Sequence, residues 1–222
     1  MNATVTKLKR ARTAEQKHSR RETILAAASA HYDAAGHEGF SMAVLAREAG
    51  VVKGTLYLYF KTREEVLLAL YNEELARFCG ELSECLGQQV TDSDFVALFY
   101  EHGTNEPRFL SLHGRLEQTI EQNVSIEALV ESKRSMMNHF DQLVQRISES
   151  LDLSEAESLA VLTAFSALLV GSQRGDLNAA LAAEAIPDDV RAFMNRFSAD
   201  NRFLPNALHI LKGIRQTAPS AD

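Results

Sequence analysis

The chain has 222 residues, 45% of them hydrophobic and 24% charged, which is the composition of a globular protein with one or two domains. Its net charge of -7 is unevenly distributed, because residues 1–62 carry ten Lys or Arg against five Asp or Glu. The polar and basic start excludes a secretory signal, the longest apolar run is too short for a bilayer, and two cysteines exclude a disulfide framework. We therefore expect a cytoplasmic protein without membrane contact, whose basic end meets a polyanion such as DNA.

Residues 1–12 are predicted to be disordered, because small polar residues surround a cluster of cations at Lys7, Lys9, Arg10 and Arg12. Two interpretations stay open, a solubilising tail or a basic arm that lies on phosphates or in a minor groove. A capping-box pattern at residues 13–16 predicts the start of the first helix, which runs to about residue 35. Gly36 then ends it, since glycine readily adopts the left-handed conformation that follows many helices.

Residues 41–60 predict two short helices joined by a tight turn. Ser41 is a good N-cap for the first helix, and Gly50 supplies a turn in which a Cβ atom would be costly. Leu56 and Phe60, four residues apart, direct one face of the second helix toward a core. The pattern is that of a helix-turn-helix, whose second helix enters a DNA major groove.

The sequence AGVVKGTLYLYFKTREEV, residues 49–66, resembles the DNA-binding core of tetracycline-repressor-type (TetR family) transcriptional regulators. Upstream, residues 24–28, Tyr32, Gly36 and residues 39–41 match the first helix of the family and the loop after it. The resemblance covers about residues 20–70, with motifs that are dense and in order. It implies DNA contacts by Ser41, Lys53, Gly54, Thr55, Tyr57, Tyr59, Lys61 and Arg63.

Two positions depart from the family pattern. Val52 stands where a small polar residue usually caps the recognition helix, so a cap or a phosphate contact is missing there. Arg63 stands where lysine is common, which keeps the positive charge.

The rest of the chain also has a helical pattern. We predict an all-α protein with a three-helix helix-turn-helix domain at residues 13–62 and a larger helical domain for effector binding and dimerisation at residues 63–222. A linking helix extends from about residue 63 to residue 86. Glu64 and Glu65 lie in its first turn, where their negative charges complement the helix dipole. A second capping box, Ser154 to Glu157, opens a later helix.

The helix that contains residues 159–170 is apolar on more than one face. One interpretation is a central core helix of a monomer, and the other is half of a four-helix dimer seam formed with the final helix. The family resemblance favours a homodimer. The predicted interface residues are Leu159, Leu162, Phe165, Leu169, Leu208 and Leu211.

A small-molecule pocket among the middle helices is implied by the resemblance, not by the residue spacing. The candidate polar anchors are His113, Arg115 or Glu117, and the apolar character of the segment favours a hydrophobic effector. Ordinary core packing is the alternative interpretation of every such residue. The candidate pocket residues are Phe78, Phe99, Phe109, Leu112, His113, Leu116 and Phe140.

Neither metal nor catalytic chemistry is indicated. The seven histidines follow no metal-ligand spacing, and the motifs of hydrolases, nucleotide-binding loops and zinc proteases are missing from the sequence. We expect no cofactor, no metal and no enzymatic activity. The expected function is a dimeric repressor that binds a pseudo-palindromic double-stranded operator and is released by a hydrophobic effector. The alternative is a constitutive or architectural DNA-binding regulator without an effector.

Overall fold

The computed structural model of the protein describes residues 2–173 and 186–217, and within these ranges the chain is helical with no strand. The all-α prediction is confirmed. A π-helical turn, Leu116–Ile120, and a 3-10 turn, Glu121–Asn123, lie between the helices Pro107–His113 and Ile126–Leu151. The predicted domain at residues 63–222 also includes residues 174–185 and 218–222, which lie outside the described residues. The helices are α1 Asn2–Gly39, α2 Met42–Glu48, α3 Lys53–Tyr59, α4 Arg63–Cys85, α5 Asp92–Thr104, α6 Pro107–His113, α7 Ile126–Leu151, α8 Glu155–Gln173, α9 Asp188–Asn195 and α10 Ala199–Thr217.

The start of the chain differs from its prediction. Helix α1 begins at Asn2, so residues 2–12, which were expected to be disordered, have a helical backbone. The segment is rich in Ala, Leu, Lys and Arg, residues with high helix propensity, and this local preference outweighs the polar composition. At the other end of α1, Gly36 has a φ of 66° and interrupts the helix where the sequence predicted a stop.

Two compact units make up the chain. The first, which we call the helix-turn-helix unit, comprises Met1–Glu74 and Arg115–Arg134. The second, which we call the aromatic unit, comprises Leu75–Gly114 and Ser135–Asp222. This division does not follow the boundary expected after residue 62, because α4 contributes residues to both units and a later segment joins the first.

The helix-turn-helix unit has a mixed core of aliphatic and aromatic side chains, in which Tyr32, Phe40 and Tyr71 are also buried. Residues from α1 through α4 that face one another are almost fully inaccessible to solvent, which stabilises the unit by removing apolar surface from water. They include Ile24, Leu25, Ala28, Leu45, Leu56, Phe60, Val66 and Leu67.

The aromatic unit is built around a cluster of phenylalanine rings. Phe99 lies at its centre, with ring centroids 5.3 Å from Phe165 and 6.1 Å from both Phe95 and Phe203. The predicted capping box of α8 is confirmed, since the Ser154 N–H donates to the Glu157 carboxylate at 2.8 Å and the Glu157 N–H donates to the Ser154 hydroxyl at 3.3 Å. These contacts position α8 in the unit.

Candidate DNA-binding face

Helices α2 and α3 are held at a defined angle by a cap and a turn. The Ser41 hydroxyl accepts a hydrogen bond from the Ala43 N–H at 3.3 Å, which caps α2 as predicted. Gly50 adopts a φ of 63°, the left-handed conformation that the turn requires. The Val51 N–H donates to the Ala46 carbonyl at 2.9 Å and closes the turn before α3 begins.

A histidine that the sequence analysis did not single out supports this arrangement. The buried His31 ring accepts a hydrogen bond through Nε2 from the Ser41 N–H at 3.0 Å. Its Nδ1 lies 3.7 Å from the Glu48 carboxylate at the other end of α2, and its ring lies 4.9 Å from that of Phe40. One side chain of α1 is therefore hydrogen-bonded at the start of α2 and lies close to its end, a position that no local pattern indicates.

The recognition helix α3 presents most of the residues predicted to contact DNA. Leu56 is fully buried, while Lys53, Gly54 and Tyr57 are exposed and Thr55 and Tyr59 are half-buried. The Lys53 ammonium lies 5.9 Å from the centre of the Tyr57 ring, so the two side chains are neighbours on one edge of the helix. Val52 occupies the N-cap position of α3, and its side chain accepts no hydrogen bond from the first turn. The predicted loss of the usual side-chain cap is therefore confirmed.

The remaining predicted contacts lie beside the helix-turn-helix. Lys61 is exposed in the segment after α3, whereas Ser41 is half-buried at the start of α2. Arg63 is also half-buried, donates a hydrogen bond to the His37 carbonyl and lies 3.4 Å from the Glu64 carboxylate. The guanidinium therefore ties the start of α4 to the end of α1, in addition to its predicted role at DNA.

The buried carboxylate of Glu65 joins three segments. One oxygen accepts a hydrogen bond from the Lys61 N–H at 2.6 Å, just after the recognition helix. The other accepts from the Ser125 hydroxyl at 2.8 Å, just before α7. Although burial raises the pKa of Glu65, the hydrogen bonds from Lys61 and Ser125 outweigh it and the net pKa is lowered. The carboxylate is thus ionised at neutral pH and holds the exit of α3 against residues 123–125. We name this arrangement the Glu65 clamp.

His37 is also buried, and its pKa is lowered. Burial is the largest cause, followed by the positive charges of Arg63 and Arg115. The neutral ring is therefore favoured at physiological pH.

A groove of about 1190 Å³ runs between α1 and α3. Lys17, Arg20 and Thr23 line its α1 side, and Leu58 and Tyr59 line its α3 side. The sequence analysis did not select Lys17 or Arg20. Their charge and their place on a helix predicted to precede the motif were visible, but their position beside α3 depends on tertiary packing.

The residues predicted to line an effector pocket are mostly packed against one another. The Phe78 ring stacks on Phe109 at 5.1 Å and meets Phe99 edge-on at 5.3 Å, and His113 stacks on Phe109 at 5.5 Å. Leu112 is fully buried, and Phe140 is half-buried on α7. Leu116 is buried in the helix-turn-helix unit, so the predicted set is divided between the two units.

Most residues predicted for the dimer interface are buried within the protomer. Leu162, Phe165 and Leu169 of α8 and Leu211 of α10 are between 0 and 1% exposed. They face their own unit because α8 packs against the ring cluster and α10. Leu159 is 46% exposed and Leu208 is half-buried, so these two retain surface that a partner could contact.

Among the described residues, no group of three or more His, Cys, Asp or Glu side chains is arranged to hold a metal ion.

Residues Glu155–Ser172 of α8 are long and apolar enough to cross a membrane by length and composition. Core helices of soluble proteins pass the same test, and α8 buries Phe165 and Leu169 in the aromatic unit.

A helix-turn-helix with an exposed, cation-bearing second helix defines a DNA-binding protein. The family described as bacterial regulatory proteins, tetR family, matches residues 24–70, and the tetracyclin repressor-like C-terminal domain matches residues 72–218. The chain therefore belongs to the TetR family, and it is a DNA-binding transcriptional regulator and not an enzyme.

Individual relatives share limited sequence identity with this chain. The fatty acid metabolism regulator protein of Bacillus subtilis (strain 168) is 33% identical over 63 residues, which are 28% of this chain and 32% of that protein. The chain thus matches about a third of the relative's length. The multidrug binding protein EbrR complexed with imidazole has a TM-score of 0.50 and 15% identity, covering 81% of this chain and 94% of its own. FadR from Bacillus subtilis in complex with stearoyl-CoA has a TM-score of 0.47 and 16% identity over 87% and 96% of the two chains. The similarity to EbrR shows a shared fold.

Proposed function

We propose that the protein is a cytoplasmic repressor that binds a pseudo-palindromic operator as a homodimer and is released by a hydrophobic small molecule. The observation that carries the operator contact is the exposed face of α3, where Lys53, Gly54 and Tyr57 stand free of the core. Two copies of α3 related by a two-fold axis would enter successive major grooves, about 34–36 Å apart.

Lys53 offers a direct test of this contact. Replacing Lys53 with Ala removes one cation from the exposed edge of α3, and it should lower the slope of log affinity against log salt by about one phosphate contact. If Lys53 donates to a base edge, the variant instead relaxes sequence preference at one position. Gel-shift titration at several salt concentrations distinguishes these outcomes. Operator binding by the variant with unchanged affinity and slope would remove Lys53 from the interface.

The dimer proposal now rests on the exposed side of α8. Besides Leu159, this side carries the small exposed residues Ala160, Thr163 and Ala167, which permit close approach of a second helix. A large charged side chain at Ala160 would be buried without a partner in such a seam. Ala160→Glu should therefore give monomers with weak operator affinity in sedimentation and gel-shift experiments. Gln142→Glu on α7 is the control for added charge, and a monomeric wild-type protein would contradict the proposal.

The effector proposal rests on the ring cluster of the aromatic unit. The rings of Phe78, Phe99 and Phe109 pack against one another as one apolar cluster, so a ligand that separates them must itself be apolar, like the fatty acyl group that the names of the relatives suggest. The ligand must bind the DNA-free conformation more tightly by about 1–3 kcal/mol to change operator occupancy. Helix α4, which carries Phe78 and the Glu65 clamp, is the proposed moving element.

A constitutive regulator without an effector is the second candidate, favoured by the direct stacking of Phe78 on Phe109. A thermal-shift screen of apolar compounds, followed by gel-shift release, separates the two. A compound that stabilises the protein and releases the operator supports an effector. If no compound of the panel does either, while operator binding is intact, the constitutive function replaces the repressor-release mechanism.

A further inference from the structure

The centre of the outward face of α3 is apolar. Successive residues of an α-helix are rotated by about 100°, so Leu58 lies about 200° around the helix from the buried Leu56. Leu58 is 78% exposed, the largest exposed fraction among the large hydrophobic side chains of the described residues. Burial in the core of the unit does not explain why a leucine stands at the middle of this exposed face.

Gly54 precedes Leu58 by one helical turn on the same face. A Cβ atom at Gly54 would meet no atom within 4 Å, and its φ is not positive. The fold would therefore accept a side chain there, and glycine lowers the stability of a helix compared with alanine. The bare backbone leaves a flat surface beside Leu58, which permits close approach by a partner.

The surroundings of Leu58 identify the kind of partner. Two cations, Lys17 and Arg20, and one anion, Glu15, line the α1 side of the adjoining groove, and Lys53 lies on the opposite edge of the face. Residues 1–62 as a whole carry ten cations and five anions. The fitting partner is a polyanion that presents an apolar group between two charged backbones. A DNA major groove does so at one base, because thymine displays its C5-methyl group there.

We propose that Leu58 is a specificity-determining residue that packs on the C5-methyl group of one thymine in each operator half-site. This inference rests on the proposed operator contact of α3 and adds a residue and a base to it. Gly54 allows the helix to approach the base edges, while the flanking cations bind the phosphates on either side. Leu58 thus selects thymine over cytosine and over uracil by apolar contact, without a hydrogen bond.

The test begins with operator duplexes selected from a random-sequence library by the wild-type protein. Each thymine of the selected site is then replaced in turn by deoxyuridine, which removes the methyl group and leaves base pairing intact. At one thymine per half-site, the wild-type protein should lose affinity about fourfold, the ratio expected for burying one methyl group. Leu58→Ala should bind the thymine duplex more weakly and show no preference for thymine over deoxyuridine at that position.

Val52→Ala is the matched control, because Val52 is also a highly exposed aliphatic residue of this region. It should keep the thymine preference at the Leu58 position. Operator binding without sensitivity to any single deoxyuridine, or a preference that survives in Leu58→Ala, overturns the inference alone. Unchanged DNA affinity of Leu58→Ala points to a protein partner for this face and also overturns it. Failure of the wild-type protein to select any duplex overturns the proposed operator contact itself.

Discussion

The two units of the molecule are stabilised in different ways. The helix-turn-helix unit combines a mixed aliphatic and aromatic core with directed polar contacts around α2 and α3, among them the Ser41 cap, the hydrogen bond of His31 and the Glu65 clamp. The aromatic unit is centred on stacked and edge-on phenylalanine rings. Hydrogen bonds fix an angle and a distance, whereas apolar packing is non-directional. The directed contacts of the first unit surround α2 and α3 and hold the recognition helix in a fixed orientation.

The recognition helix and the ring cluster also differ in how far particular apolar side chains are buried. In the helix-turn-helix unit, Val52 and Leu58 lie on or beside α3 and are largely exposed. In the aromatic unit, Phe95, Phe99 and Phe165 are fully buried. Removing the exposed Leu58 side chain should therefore cost little stability, whereas removing a ring of the buried cluster should cost much.

The largest expected effect is the loss of a central ring. Phe99→Ala should lower the free energy of unfolding by about 3–5 kcal/mol, because Phe99 contacts four other rings and leaves a cavity. Leu58→Ala should change it by no more than about 0.5 kcal/mol. Urea unfolding followed by circular dichroism measures both. Equal losses of unfolding free energy in the two variants would contradict the expected difference between the buried ring and the exposed leucine.

Loss of the clamp should have the next largest effect. Glu65→Gln places an amide donor against the Lys61 N–H or the Ser125 hydroxyl and should cost about 1–3 kcal/mol. Because the folded pKa of Glu65 lies below its usual 4.5, its contribution is present above that pH and is lost as pH falls through the folded value. Unfolding measured at pH 7 and at acid pH tests this, with Glu64→Gln as control. A variant as stable as wild type at pH 7 would refute a role for the clamp.

His37 should make a contribution that depends on pH in a similar direction. Its folded pKa lies below 6.5, so the unfolded chain binds more protons and its contribution to stability declines as pH falls from 6.5. His37→Asn should therefore unfold with a weaker acid dependence than wild type in titrations between pH 7.5 and acid pH. Parallel curves for wild type and His37→Asn would contradict the shift.

The smallest effect expected is a gain in stability. Val52→Thr supplies the missing cap of α3 and should stabilise the protein by about 0.5–1 kcal/mol, because a hydroxyl can accept from an unpaired N–H of the first turn. Val52→Ala is the matched control without the hydroxyl. Chemical denaturation compares the two, and equal stability would show that α3 is not limited by its cap.

The local sequence was sufficient to predict much of the structure of the helix-turn-helix. Ser41, Gly50 and Gly36 have the capping and left-handed roles that their residue types predict. The same holds for the Ser154 to Glu157 capping box and for the missing cap at Val52. These features depend on contacts within a few residues, where intrinsic conformational preference decides. Leu58 could also have been selected from the sequence, since helical periodicity places it opposite Leu56.

Tertiary structure alone decided the rest. The partners of Glu65 and Arg63 are Ser125 and His37, which are distant in sequence and carry no spacing signal. The apolar surface of α8 on several faces could not show whether Phe165 meets a second protomer or its own unit. In the protomer, the Phe165 ring packs against Phe95 and Phe99 of its own unit. Hydrophobicity is non-directional, so a sequence determines which residues leave water, while the packing of whole helices determines what they meet.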